Sequence, residues 1–194
     1  MPQPSPSFWV TLATGLILLL ALVGSLVLPN RRVWPPTTKG AGWRIALVWM
    51  CTILLFAGLM VVGVSSVDTL GLGGGWVRWV GAVLVLGGIG LAFHGVAFLG
   101  ERATAGLKDA LVTTGPYRFT RNPQYLGNLM VIVGLVVLTD SVPAALAAIP
   151  GILGFVVFPF TEEPWLERQY GAEYRVYRER VPRFLGPVGR PPAT

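Results

Sequence analysis

The chain has 194 residues, 53% of them hydrophobic and only 12% charged, with a mean hydropathy of +0.64. A soluble domain carries about twice that charge, so the composition excludes an ordinary soluble fold and points to one membrane domain. The net charge of +6 does not mark a nucleic-acid binder, because the basic residues lie between long apolar runs rather than on one soluble face.

A helix needs roughly 20 apolar residues to cross a hydrocarbon core about 30 Å thick. Residues 8–28, 45–67 and 79–99 are three such runs without Asp, Glu, Lys or Arg. Nothing basic precedes the first run and it is long enough to span, so it is not expected to be a cleaved signal peptide. A shorter run covers residues 125–139, Asp140 and Ser141 interrupt, and a fifth run covers residues 142–160. The last two are expected to form a tight helical hairpin. Ser141 before Pro143 reads as a helix start, and Pro150 is expected to kink the fifth helix. Trp9, Trp34, Trp43 and Trp76 fall near run ends, as interfacial aromatics do. Gly81, Gly88 and Gly95 recur every seven residues on the third run, which predicts a smooth face for close helix packing. The glycine-rich residues 71–75 read as a turn, since they lack the lysine and the strand-to-helix setting of a phosphate loop. The one cysteine, Cys51, allows no disulfide framework within the chain, and no metal site is expected.

Fourteen of the fifteen basic residues fall on one side of a five-span arrangement. They are Arg31, Arg32, Lys39 and Arg44 between runs one and two, Arg102, Lys108, Arg118 and Arg121 between runs three and four, and six from Arg168 to Arg190 after run five. Only Arg78 lies opposite, beside Asp68 and Asp140. The excess of basic residues predicts that this side is cytoplasmic, with the N-terminus outside and the C-terminus inside.

Two segments on that side are rich in aromatic, charged and proline residues: 111–127 (LVTTGPYRFTRNPQYLG) and 161–185 (TEEPWLERQYGAEYRVYRERVPRFL). In the first, Gly115-Pro116 and Asn122-Pro123 mark turns. A helix opening near Pro123 would gather Tyr117, Arg121, Asn122 and Tyr125 around its N-terminus, where free N–H groups favour an anionic group. The same residues also fit an ordinary juxtamembrane loop with topology anchors. In the second, Thr161 can cap a helix over residues 162–181, with Glu162, Glu163 and Pro164 in its first turn. Leu166, Tyr170, Tyr174, Tyr177 and Val181 form one apolar-aromatic stripe, predicting an amphipathic helix on the membrane or over the bundle. Helix capping alone also accounts for Glu162-Glu163. The single histidine, His94, lies in the third run and serves either the lining of an acceptor site or helix packing.

Taken in order, these segments resemble the isoprenylcysteine carboxyl methyltransferase and phospholipid methyltransferase superfamily. Its G-x-Y turn appears as Gly115-Pro116-Tyr117, and its R-H-P-x-Y-x-G as Arg121-Asn122-Pro123-Gln124-Tyr125-Leu126-Gly127. E-E-x-x-L appears as Glu162-Glu163-Pro164-Trp165-Leu166, G-x-x-Y-x-x-Y as residues 171–177, and V-P-R-F as Val181-Pro182-Arg183-Phe184. The resemblance covers residues 94–185. It implies an all-α integral membrane fold, with a pocket for S-adenosylmethionine on the cytoplasmic side partly capped by the C-terminal segment, and an acceptor arriving from the bilayer.

Carried over by position, the resemblance implies cofactor contacts from Asp109, Ala110, Leu111, Val112, Tyr117, Asn122, Pro123, Gln124, Tyr125 and Glu162, and from Arg102. Catalytic candidates are Asn122, Arg121 and His94. The cofactor's sulfonium, amino-acid end and adenine match tyrosine faces, basic groups with a helix N-terminus, and Glu162. In-line methyl transfer draws much of its rate from holding the two reactants in position, so it does not demand an obvious base. Asn122 replaces the family's histidine and can hydrogen-bond but not carry a proton near neutral pH. The family's arginine for a prenylcysteine carboxylate falls near Phe158, which argues against that acceptor. The expectation is therefore a membrane-embedded methyltransferase acting on a small lipophilic acceptor. Its alternatives are a phospholipid amine N-methyltransferase and a non-catalytic protein that retains the fold.

Overall fold

The computed structural model describes residues 5–36, 41–105, 107 and 110–189. Asp109, one of the expected cofactor contacts, lies outside the described residues, as do Lys39, Lys108 and Arg190. Among the described residues the chain is helical and has no strand. The helices are α1 (Pro6–Val27), α2 (Ala41–Val64), α3 (Gly75–Thr104), α4 (Pro123–Thr139), α5 (Val142–Tyr170) and α6 (Ala172–Arg180), with short 3-10 turns at Pro29–Arg31 and Gly115–Arg118.

Helices α1, α2, α3 and α5 are long and apolar enough to cross a membrane, and α4 is a shorter apolar helix of 17 residues. Their outer faces expose large apolar side chains, such as Trp79, Leu86 and Phe93 along α3. Such surface is stable only under lipid, and the protein is a multi-pass membrane protein. The face of α3 opposite those residues carries Gly81, Gly88 and Gly95, all buried. They meet α4 so closely that a Cβ on Gly88 would stand 2.6 Å from the carbonyl oxygen of Gly127. The glycine seam thus sets the position of α4. Helix α5 packs mainly on α1, and α2 touches α1, α4 and α5.

The two ends of the bundle differ chemically. At one end Asp140 takes a left-handed cap on α4, with φ 51°. Its carbonyl accepts from the N–H groups of Thr69 and Leu70, and its carboxylate accepts from that of Leu72. Ser141 caps α5 by accepting from the Ala144 N–H at 3.1 Å, as its place before Pro143 predicts. Arg78 pairs with Asp68 here. The other end gathers the α1–α2 connection, the α3–α4 connection and the C-terminal segment.

Two expectations are corrected. The C-terminal region is not one helix over residues 162–181 capped by Thr161. Helix α5 continues through Pro150, Pro159 and Pro164 to Tyr170, and the Thr161 hydroxyl donates back to the Phe158 carbonyl at 2.7 Å. In a bundle, side chains and neighbouring helices satisfy the carbonyls that proline frees. The break comes at Gly171, whose φ of 57° is open to glycine and strained for other residues, and α6 follows. The predicted stripe nevertheless survives the break: Tyr174, Tyr177 and Val181 pack with Leu111, Leu166 and Tyr170, over the bundle. Trp34 is the second correction, since it is 3% exposed rather than interfacial.

Gly88→Val would force α3 and α4 apart, and overpacking of this kind destabilises by about 1–3 kcal/mol. Gly90 faces open space, so Gly90→Ala is expected to leave stability unchanged or slightly raised. Thermal unfolding of both variants in detergent checks the pair.

Candidate functional site

Glu162 and Glu163 stand on the polar extension of α5 and face different partners. Trp34 reaches Glu162 from the α1–α2 connection because Ser25 pins its backbone: the Ser25 hydroxyl accepts from the N–H groups of Val33 at 2.9 Å and Trp34 at 3.2 Å. The Trp34 indole N–H donates to Glu162 Oε1 at 2.6 Å, and the Tyr125 hydroxyl donates to the same oxygen. Phe158 lies between them, stacked on Tyr125 at 4.6 Å and edge-on to Trp34 at 6.0 Å.

Glu163 binds Arg183 in two bonds of 2.8 and 2.7 Å and Arg121 Nη2 at 3.1 Å. The hydrogen bond to Glu163 raises the pKa of the Arg183 guanidinium, which also lies 3.9 Å over the Phe160 ring. The Arg183 carbonyl accepts from the Thr120 hydroxyl at 3.0 Å and from Asn122 Nδ2 at 2.9 Å. The Arg121 backbone N–H donates to the Pro182 carbonyl, and the Tyr177 hydroxyl to the Tyr117 carbonyl at 2.7 Å. The two segments singled out in the sequence are thus tied together along their length. Burial, above all, pushes the hydroxyls of Tyr117, Tyr174 and Tyr177 above their usual pKa, so all three stay protonated.

Between these segments and the end of α3 lies a cleft. Of the expected cofactor contacts, Ala110, Leu111, Val112, Tyr117, Asn122, Gln124, Tyr125 and Glu162 line it. Pro123 is buried as the first residue of α4 and Arg102 is exposed on the last turn of α3, both outside the lining. Of the catalytic candidates, Arg121 and Asn122 line the cleft. His94 is exposed, its ring 4.9 Å from that of Phe98, and lines neither this cleft nor the chamber next to it. Asn122 is the residue before α4, yet its side chain caps no helix N–H and serves the Arg183 carbonyl. Thr104 Oγ1 and the Nε and Nη1 groups of Arg121 are buried without a hydrogen-bond partner among the described residues, and both residues line the cleft.

A second, mostly apolar chamber adjoins the first and shares Thr104, Gln124 and Tyr125 with it. Val48, Trp49, Ile53 and Phe56 of α2, Ala92, Phe93 and Val96 of α3, and Trp34, Phe155 and Phe158 wall it. Ile53 and Phe93 at its rim are 61% and 72% exposed, so it opens on the lipid-facing side of the bundle. Sequence reasoning missed Trp34 and Thr104. Trp34 stands out only as an indole within a short loop, and Thr104 gives no signal.

The phospholipid methyltransferase family profile matches residues 76–173. The cobalt-zinc-cadmium resistance protein CzcN of Cupriavidus metallidurans is 30% identical over 74% of this chain and 61% of its own length. The nickel-cobalt-cadmium resistance protein NccN of Alcaligenes xylosoxydans xylosoxydans is 29% identical over 74% of this chain and 62% of its own. The chain thus spans somewhat over three fifths of these relatives. No solved structure matches significantly.

Glu163→Ala strands two arginines around a lost buried carboxylate and is expected to destabilise the fold by about 3–5 kcal/mol. Glu162→Gln keeps an oxygen acceptor for Trp34 and Tyr125 and is expected to shift stability by no more than about 1 kcal/mol. Reversible unfolding in mixed micelles distinguishes the two glutamates.

Proposed function

The chain belongs to the phospholipid methyltransferase family, and from that premise we propose that it is a membrane-embedded S-adenosylmethionine-dependent methyltransferase acting on a small lipophilic acceptor. The observation that carries this reading is the meeting of two unlike cavities at Thr104, Gln124 and Tyr125. One is polar-rimmed and sits at the basic end of the bundle, and the other is apolar and opens toward lipid.

The residues of the polar cleft fit the cofactor. Glu162 suits an ammonium or ribose hydroxyls, tyrosine faces suit adenine or a sulfonium cation, and unpaired buried donors await acceptors. When bound, the cofactor supplies a methyl group on a positively charged sulfur. Trp34 and Tyr125 hold Glu162 in one orientation. Tyr174 and Tyr177 of α6 wall one side of the cleft. Gln124, Tyr125 and Thr104 stand where acceptor and cofactor would meet, and positioning of that kind supplies much of the acceleration. We assign the basic end to the cytoplasm, with α4 as a fifth crossing and Arg102 and Asp109 as outer cofactor contacts.

A phospholipid amine is the second reading, favoured by the family's description and by three arginines, Arg32, Arg44 and Arg168, close enough for their charges to interact. Burial, followed by the charges of Arg168 and Arg44, lowers the pKa of Arg32, and such a basic group suits a lipid phosphate. The metal-resistance names belong to the relatives. Among the described residues here, no three His, Cys, Asp or Glu side chains group as a metal site.

Calorimetric titration of the detergent-purified protein with S-adenosylmethionine and S-adenosylhomocysteine is expected to give saturable binding of both. Absence of binding at millimolar ligand would sink this reading and leave the non-catalytic one. Glu162→Ala is expected to abolish binding in a protein that stays folded, and retained affinity would remove Glu162 from the site. Trp34→Phe keeps a ring against Phe158 but deletes the donor to Glu162. It is expected to weaken cofactor binding about five- to tenfold, measured by the same titration.

A further inference from the structure

We propose that Asn128, inside the membrane, selects the acceptor: a small apolar ring compound with a second hydrogen-bonding group about one helical turn away from the group it presents to the cleft. This rests on the methyltransferase reading above, in which the apolar chamber holds the acceptor. Helix α4 is an apolar helix whose polar side chains are Gln124, Tyr125, Asn128 and Thr139. Two of them are spoken for. The Tyr125 hydroxyl donates to Glu162, and the Thr139 hydroxyl donates to the Leu135 carbonyl at 2.8 Å. The Gln124 and Asn128 amides have no side-chain hydrogen bond among the described residues, and both line the chamber.

An amide within a membrane span costs free energy unless it is hydrogen-bonded. Asn128 is also no part of the close α3–α4 packing, which its neighbour Gly127 makes against Gly88 and Ala92. Its missing partner can therefore come from an occupant of the chamber. Four residues along a helix place Gln124 and Asn128 on one face, about 6 Å apart along the axis. Gln124 stands where chamber and cleft meet, with the unpartnered Thr104 Oγ1 beside it in both linings. Asn128 belongs to the chamber alone. The polar groups left for an occupant thus lie at two places one turn apart, a spacing matched by two oxygens para to each other on a benzene ring. The walls between are aromatic, with Trp34, Trp49, Phe56, Phe155 and Phe158, and such faces favour a flat ring. A chamber of about 270 Å³ lies at the small end of ligand pockets, which run from about 300 to 1,000 Å³.

The test is calorimetry on the intact protein in detergent with saturating S-adenosylhomocysteine, referenced to protein-free micelles. The probes are 4-methoxyphenol, the equally shaped 4-ethylphenol, which lacks the second oxygen, and 3-methoxyphenol, which holds it at a shorter spacing. The wild type is expected to bind 4-methoxyphenol about three- to tenfold more tightly than either of the others. Asn128→Leu is expected to erase that preference by weakening 4-methoxyphenol alone, with the affinity for S-adenosylhomocysteine unchanged. Equal affinity of the wild type for the three probes overturns the assignment whether or not the variant folds, and leaves the methyltransferase reading standing. So does a variant that keeps the preference, or one that loses all three probes equally, the mark of a merely structural asparagine. Uptake of S-adenosylhomocysteine with no binding of any phenol overturns the ring compound as occupant. A wild type that does not take up S-adenosylhomocysteine overturns the methyltransferase reading itself.

Discussion

Two adjacent carboxylates on a helix that runs past its apolar stretch hold the candidate site together. Successive residues on an α-helix point about 100° apart, so Glu162 and Glu163 cannot face the same neighbour. Glu162 meets donors from the α1–α2 connection and the first turn of α4. Glu163 meets arginines from the α3–α4 connection and the C-terminal segment. Four separate parts of the chain converge on two consecutive side chains. Buried carboxylates are tolerable only with such partners, so the helix extension, the loop and the C-terminal strap depend on one another.

The rest of the bundle sets the distances that this convergence needs. The glycine seam between α3 and α4 lets the two backbones approach and fixes where the first turn of α4, with Gln124 and Tyr125, emerges. Helix α1 packs along α5 and its Ser25 pins the loop that carries Trp34. The profile match begins at residue 76, yet an indole from the preceding part of the chain touches Glu162. The connection between the first two helices therefore contributes to the candidate site, and α2 walls the chamber next to it.

Local signals were legible in the sequence. The apolar runs, the glycine spacing, the Ser141 cap and the start of α4 at Pro123 each depend on a few neighbouring residues, and each is found where its residues predict. The residue-level expectations within 110–125, together with Glu162, also fall largely on one cleft. What the sequence concealed depends on distant partners. A threonine followed by two glutamates and a proline reads as a helix start, but the bundle carries α5 through it and the break waits for Gly171. Trp34 reads as an interfacial aromatic until Glu162, 128 positions away, supplies its partner. The unpaired groups of Thr104 and Arg121 are features of burial, which no spacing records.

Asn122 shows how the same logic bears on chemistry. In this fold its amide is spent on the Arg183 carbonyl, tying the strap over the cleft beside the Arg183–Glu163 pair. An amide does that work at any physiological pH, whereas a histidine would do it in a proton-dependent way. The residue is thus a clasp at the edge of the site. With Asn122 engaged in this way, the candidate site holds no titrating side chain at that position, which suits the proposed methyl transfer, since positioning of the reactants can supply much of the acceleration.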